Sequence, residues 1–129
     1  MHGSLQETLW LLGRLLLGGL FVVAGIRHFF IFGAVQQAIA ARGVPFARLV
    51  LVAGSAFEVL AGTSLIAGVA VAYAALGLAL FTVAASVMLL NFWGMEGSAR
   101  EAAINAWQSN LAIVGGLLVA GAHSLHANH

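Results

Sequence analysis

Four stretches of about twenty predominantly apolar residues account for most of this 129-residue chain: 9–30, 46–66, 70–90 and 104–122. Each is long enough to cross a hydrocarbon core of roughly 30 Å as an α-helix, and none carries more than two charges. Period-two alternation is absent, and Leu, Ala and Gly dominate over β-branched residues. The short alternating strands of a membrane barrel therefore do not fit. The reading is an all-α fold, a single-domain four-helix transmembrane bundle over 1–129, running up and down antiparallel with short loops.

Composition enters as the test of that reading. Only nine residues are charged, five Arg and four Glu, and 62% are hydrophobic. A soluble domain carries roughly a quarter charged residues, so a water-facing globule of this chain would have little to cover its surface. The net charge of +1 comes from scattered Arg residues and makes no basic patch for nucleic acid. With no Cys there is no disulfide, thiolate metal site or dithiol chemistry.

The connections carry the remaining signals. Arg14 precedes an apolar stretch, but the exit Ile26-Arg27-His28-Phe29-Phe30 lacks a small-residue cleavage pattern, so the first run reads as an uncleaved span. Pro45 suits the first turn of the second helix. Residues 67–69 leave room only for a tight antiparallel hairpin. Residues 91–103 form a longer loop with space for a short amphipathic turn, and a polar, frayed tail follows 122. Loops one and three then share a side with Arg27, Arg42, Arg48 and Arg100, against Arg14 on the other. The positive-inside rule makes that side cytoplasmic and points both termini outward, in a bacterial-type inner membrane.

Glu58 is the residue that most needs explaining, because it stands near the middle of a span whose only other charge is Arg48 at its start, and an ionised side chain at that depth costs a few kcal/mol or more. Gly54 and Gly62 lie four residues to either side and share its stripe, leaving gaps through which something can approach. One reading is a proton-handling or ligand-binding carboxylate. The other is a structural residue paired with an Arg, Ser, Thr or Asn of a neighbouring helix, with the glycines serving packing. Arg14 and Arg27 fall on nearly opposite faces of the first helix, so they either snorkel to opposite interfaces or one turns inward to Glu58 or to an anionic head group. Asn91-Phe92-Trp93 and the stretch Asn105 to Asn110 bring amides and indoles to one level. They read as caps and an aromatic belt, with Trp10 matching at the other end, or as a polar floor with Glu58 under a flat headgroup such as a quinone. His28 stands at a boundary with no second His inside a span, so a bis-His haem site is not available. His123, His126 and His129 read as adventitious metal binders. Ala112, Gly116 and Ala120 form a small-residue stripe for helix contacts, within the bundle or with another subunit. No nucleotide loop, nucleophile elbow or carboxylate pair is present, so no catalytic residue, metal ligand or motif-bound cofactor is assigned.

These pieces occur in a familiar order. Gly13-Arg14-Leu15 and Leu20-Phe21-Val22-Val23-Ala24-Gly25-Ile26-Arg27 are followed by Gly43-Val44-Pro45, then Phe57-Glu58 with Gly62 and Gly68. Asn91-Phe92-Trp93 and Asn110-Leu111-Ala112-Ile113-Val114-Gly115-Gly116 complete the series. The chain resembles the DoxX family of small four-helix membrane proteins. Arg27 stands where members commonly have Lys, and Asn91 where a His often precedes the Phe-Trp pair. The family is named for a subunit associated with a membrane quinone-reducing thiosulfate oxidoreductase and terminal oxidase, and other members resemble partners in membrane redox or oxidative-stress assemblies. The family's polar positions fall on Arg14, Arg27, Glu58, Asn91, Trp93 and Asn110.

The resulting expectation is an accessory, quinone-facing subunit of a larger membrane oxidoreductase, with lipids and other membrane subunits as partners and a quinone or lipid as ligand. Two alternatives stand beside it: an assembly subunit docking through Ala112, Gly116 and Ala120, and a homo-oligomeric carrier of protons or small solutes with Glu58 on the path.

Overall fold

The computed structural model describes residues 2–30 and 32–127, and among them every regular element is helical. In order they are α1 (His2–Phe30), α2 (Phe32–Ala41), α3 (Ala47–Ala67), α4 (Val71–Leu89), a 3-10 turn (Phe92–Gly94) and α5 (Gly97–Ala127). Four of the five α-helices are long and apolar enough to span a membrane, over Ser4–His28, Ala47–Ala67, Val71–Gly94 and Gly97–His126. This is the four-span, all-helical bundle expected from hydropathy.

The fifth helix, α2, lies in what reads from the sequence as the first loop. Its ten residues are too few to span, so a twenty-residue hydropathy window passes over it. Ala and Gln favour the helix, while Val35 and Ile39, one turn apart, put an apolar pair on one face. That pair packs with Ala47, Leu51, Met88 and Leu89, closing one end of the bundle. Arg42, just beyond α2, donates from Nε to the carbonyl of Met88 at 3.2 Å, satisfying one of the oxygens that α4 leaves open at its C-terminus.

Three further boundaries differ from the hydropathy reading. Helix α5 starts at Gly97 and extends past His123 and His126 to Ala127, so the tail is helical as far as Ala127 and Asn105 sits in the third turn rather than at a cap. His129 is outside the described residues. Pro45 precedes Phe46, the N-cap of α3, and so lies in the turn before the helix rather than in its first turn. The α3–α4 hairpin is as tight as expected. Gly68 takes φ 77°, its N–H reaches the carbonyls of Ser64 at 2.9 Å and Leu65 at 3.3 Å, and the N–H of Val69 reaches Ser64 at 3.0 Å. These are the paired bonds of a Schellman cap, which favours a glycine at its left-handed position.

The helices associate as two close pairs, α1 with α3 and α4 with α5, joined through the hairpin. Near the hairpin end the pairs meet in a core containing Phe21, Leu65, Leu78 and Leu117, the last three of them 0% exposed. Outward-facing side chains include Leu16, Leu80 and Val119, at 74%, 74% and 70% exposure. Apolar residues on this scale suit contact with lipid tails rather than water.

Candidate functional site

The contact of α1 with α3 is made by bare backbone. A Cβ placed on Gly18 would stand 2.5 Å from the carbonyl oxygen of Gly62, and one on Gly62 would stand 2.7 Å from that of Gly18. Two turns further along α1, a Cβ on Gly25 would meet the Ser55 carbonyl oxygen at 2.8 Å and Glu58 Cβ at 3.3 Å. Gly62 is therefore the gap through which α1 approaches, whereas Gly54 turns toward the ring of Phe81 on α4, 3.1 Å from its would-be Cβ.

This register brings His28 to Glu58. His28 follows Gly25 by three residues and shares its face of α1, just as Ser55 precedes Glu58 by three on α3. His28 Nδ1 makes a 3.2 Å hydrogen bond with Ser55 Oγ and stands 3.0 Å from Glu58 Oε1. Glu58, 4% exposed, thus has an imidazole as its partner. Glu58 is the twelfth of the 21 residues of α3. His28, the last residue of the α1 span, is therefore level with the middle of α3.

Neither Arg in α1 ion-pairs with Glu58. Arg14 stands at the far end of α3, where Nη1 lies 3.5 Å from the Leu65 carbonyl and the guanidinium 5.7 Å from the centre of the Trp10 ring. A cation there suits the partial negative charge of a helix C-terminus. The same Trp10 ring is 4.4 Å from that of His123, so α1, α3 and α5 are tied together at the hairpin end. Arg27 is exposed on the outer side of α1.

Between the two helix pairs, on the α2 side of the core, lies a cavity of about 530 Å³ to which all five helices contribute. Its walls are mostly apolar, with Leu20, Phe21, Val50, Phe81, Met88 and Ile113 among them. The polar groups sit on two walls: His28, Ser55 and Glu58 on one side, Thr82 and Asn110 on the other. Asn110 Nδ2 donates to Ser86 Oγ at 2.8 Å, Ser86 Oγ donates to the Thr82 carbonyl at 2.7 Å, and Thr82 Oγ1 donates to the Leu78 carbonyl at 2.8 Å. A mostly apolar cavity of several hundred Å³ with a few convergent polar groups has the usual make-up of a small-molecule site.

The other sequence-selected residues lie elsewhere. Asn91 keeps a buried Oδ1 without a hydrogen-bond partner but is not on the cavity wall. Trp93 is 61% exposed, with the ring of Phe92 edge to face at 5.4 Å. Trp107 anchors α5 to the end of α4 by donating from Nε1 to the Leu90 carbonyl at 2.6 Å. Along the α5 stripe Ala120 is buried, Gly116 faces Leu17 of α1, and Ala112 is exposed. Sequence reasoning passed over His28 and Ser55 as partners of Glu58. The signal for both was three-residue spacing, His28 from Gly25 and Ser55 from Glu58.

A family model described as DoxX matches residues 9–91, which takes in His28, Ser55 and Glu58 and stops short of Asn110. No curated protein and no solved structure matches the chain.

Proposed function

This chain belongs to the DoxX family of multi-pass membrane proteins, and from that premise we propose that it is an accessory, quinone-facing subunit of a larger membrane oxidoreductase. The observation that carries the reading is the intramembrane cavity with Glu58 and His28 on its wall. A buried ionisable pair within a span is costly, and such residues mark ligand or ion sites more often than packing. The residues fit a quinone-type ring. Phe81, Phe21 and Ile113 offer apolar faces, and the two polar walls offer hydrogen-bonding groups to substituents on opposite edges of a flat ring. The family's association with a quinone-reducing oxidoreductase supports the same ligand class. In this reading partner subunits hold the redox centres, and this chain shapes and orients the binding niche. The proposed setting is a bacterial-type inner membrane with both termini outside.

The test is Glu58→Gln in the intact complex isolated from its own membrane. Altered quinone turnover or affinity with normal assembly is the expected result, and unchanged kinetics would remove the niche. Extraction in mild detergent followed by mass spectrometry of comigrating proteins tests the accessory role. Stoichiometric haem- or flavin-bearing partners are expected, and migration alone or as a homo-oligomer would sink it.

A further inference from the structure

Whatever occupies the cavity, the α2 end of the bundle carries a charge imbalance of its own. Arg27, Arg42 and Arg48 stand on the side formed by α1, α2 and α3, and all three are exposed. Among the described residues none of them pairs with a carboxylate. On the side formed by α4 and α5, Arg100 stands instead with Glu96 and Glu101. At the hairpin end Glu7 offsets Arg14. The excess positive charge is therefore confined to one face of one end. We propose that this face binds the phosphate headgroup of an anionic membrane lipid.

Depth identifies the ligand class. The apolar span of α3 begins at Ala47, so Arg48 is its second residue and lies where hydrocarbon gives way to headgroups. Arg42 is brought to the same level from the end of α2. Its backbone N–H donates to the Ile39 carbonyl at 3.1 Å and its Nε to the Met88 carbonyl at 3.2 Å, and both Ile39 and Met88 pack in the cluster that contains Ala47. Those bonds fix the Arg42 stem, while its two Nη groups have no hydrogen-bond partner among the described residues. Arg27 lies one residue before the end of the α1 span, and its outward stem is long enough to snorkel to the interface. Phe30 and Phe46, 84% and 79% exposed, stand at the same end and offer bare rings to the boundary between headgroups and acyl chains. Guanidinium groups match phosphate oxygens with parallel N–H donors, and anionic lipid draws basic residues to a membrane surface. An acidic protein segment would meet the charge but not the exposed rings. A phosphate shared by Arg42 and Arg48 ties the end of α2 to the start of α3, and so holds in place the short helix that supplies Val35 and Ile39 to the cavity wall.

The experiment places the full chain in nanodiscs of phosphatidylcholine with a minor fraction of phosphatidylglycerol. The protein is then extracted in mild detergent, and the lipids that stay bound are measured by mass spectrometry. Phosphatidylglycerol should be retained about fivefold above its share of the bilayer, the scale of one arginine near an anionic surface. Arg27→Gln combined with Arg48→Gln removes two side chains that make no ion pair within the protein. That variant should bring retention close to the bilayer ratio with circular dichroism and elution unchanged. Arg42→Gln should lower retention as well, and should also speed amide exchange in residues 32–41. Arg100→Gln, on the balanced side, should retain as much phosphatidylglycerol as the unaltered protein. Retention at the bilayer ratio in the unaltered protein overturns the proposal and leaves the charge to an acidic protein partner. Equal losses in Arg100→Gln and in the double variant overturn it too, because net charge rather than this face would then govern binding. Full displacement of the lipid by millimolar inorganic phosphate would make the site one for a free anion and likewise sink the lipid.

Discussion

At the scale of single residues, the pairing of His28 with Glu58 sets the energetics of the cavity. Removing His28 leaves the buried Glu58 carboxyl group without its partner, and a buried polar group stranded in this way typically costs about 1–3 kcal/mol, more if it is ionised. His28→Ala should accordingly lower the thermal midpoint of the detergent-solubilised protein. The combination His28→Ala with Glu58→Gln should be more stable than His28→Ala alone, because no buried charge is left unpaired. An additive outcome in this double-mutant cycle would mean that the 3.0 Å contact carries no coupling. Arg14 makes a smaller contribution. Its contact with the Leu65 carbonyl predicts that Arg14→Leu costs roughly 1 kcal/mol, the magnitude of a charge at a helix terminus. Glu58 itself was evident from the sequence because a carboxylate within an apolar span stands out in any hydropathy reading. His28 was not, since a His two residues from a helix end reads as an interface residue until the register of α1 against α3 is known.

At the scale of elements, that register depends on the absence of side chains. Gly18→Leu or Gly25→Leu would drive a side chain into the backbone of α3, where even a Cβ is too close. Either variant should therefore separate α1 from α3 and abolish a monodisperse, folded elution peak. Gly13 and Gly19 have open space around the same position. Substituting either with Ala should be tolerated and raise stability by up to about 1 kcal/mol through helix propensity. Equal sensitivity at all four glycines would contradict the packing described for α1. The small helix α2 follows a different logic. Its ten residues gain little stability alone, and it persists because Val35 and Ile39 pack on the ends of α3 and α4. Ile39→Asp should therefore loosen α2 selectively, seen as faster amide exchange in residues 32–41 than in α4.

At the scale of the whole molecule, the absence of Cys makes orientation directly measurable. With both termini outside, a membrane-impermeant maleimide should label Val69→Cys in the α3–α4 hairpin on intact cells. It should reach Glu96→Cys, between α4 and α5, only after lysis. The reverse pattern would invert the protein.

The number of spans, the helical class and the position of the anomalous carboxylate followed from the sequence alone, because hydropathy is a local sum and each span satisfies its own backbone hydrogen bonds. The presence of α2, the shift of α1 that places His28 opposite Glu58, and the separation of Asn110 from Asn91 and Trp93 were decided by tertiary structure. Those features arise from contacts between residues far apart in the chain, such as Gly18 with Gly62 and Asn110 with Ser86. The apolar sequence of each helix permits many rotations and offsets, and only close packing and the pairing of buried polar groups select one of them.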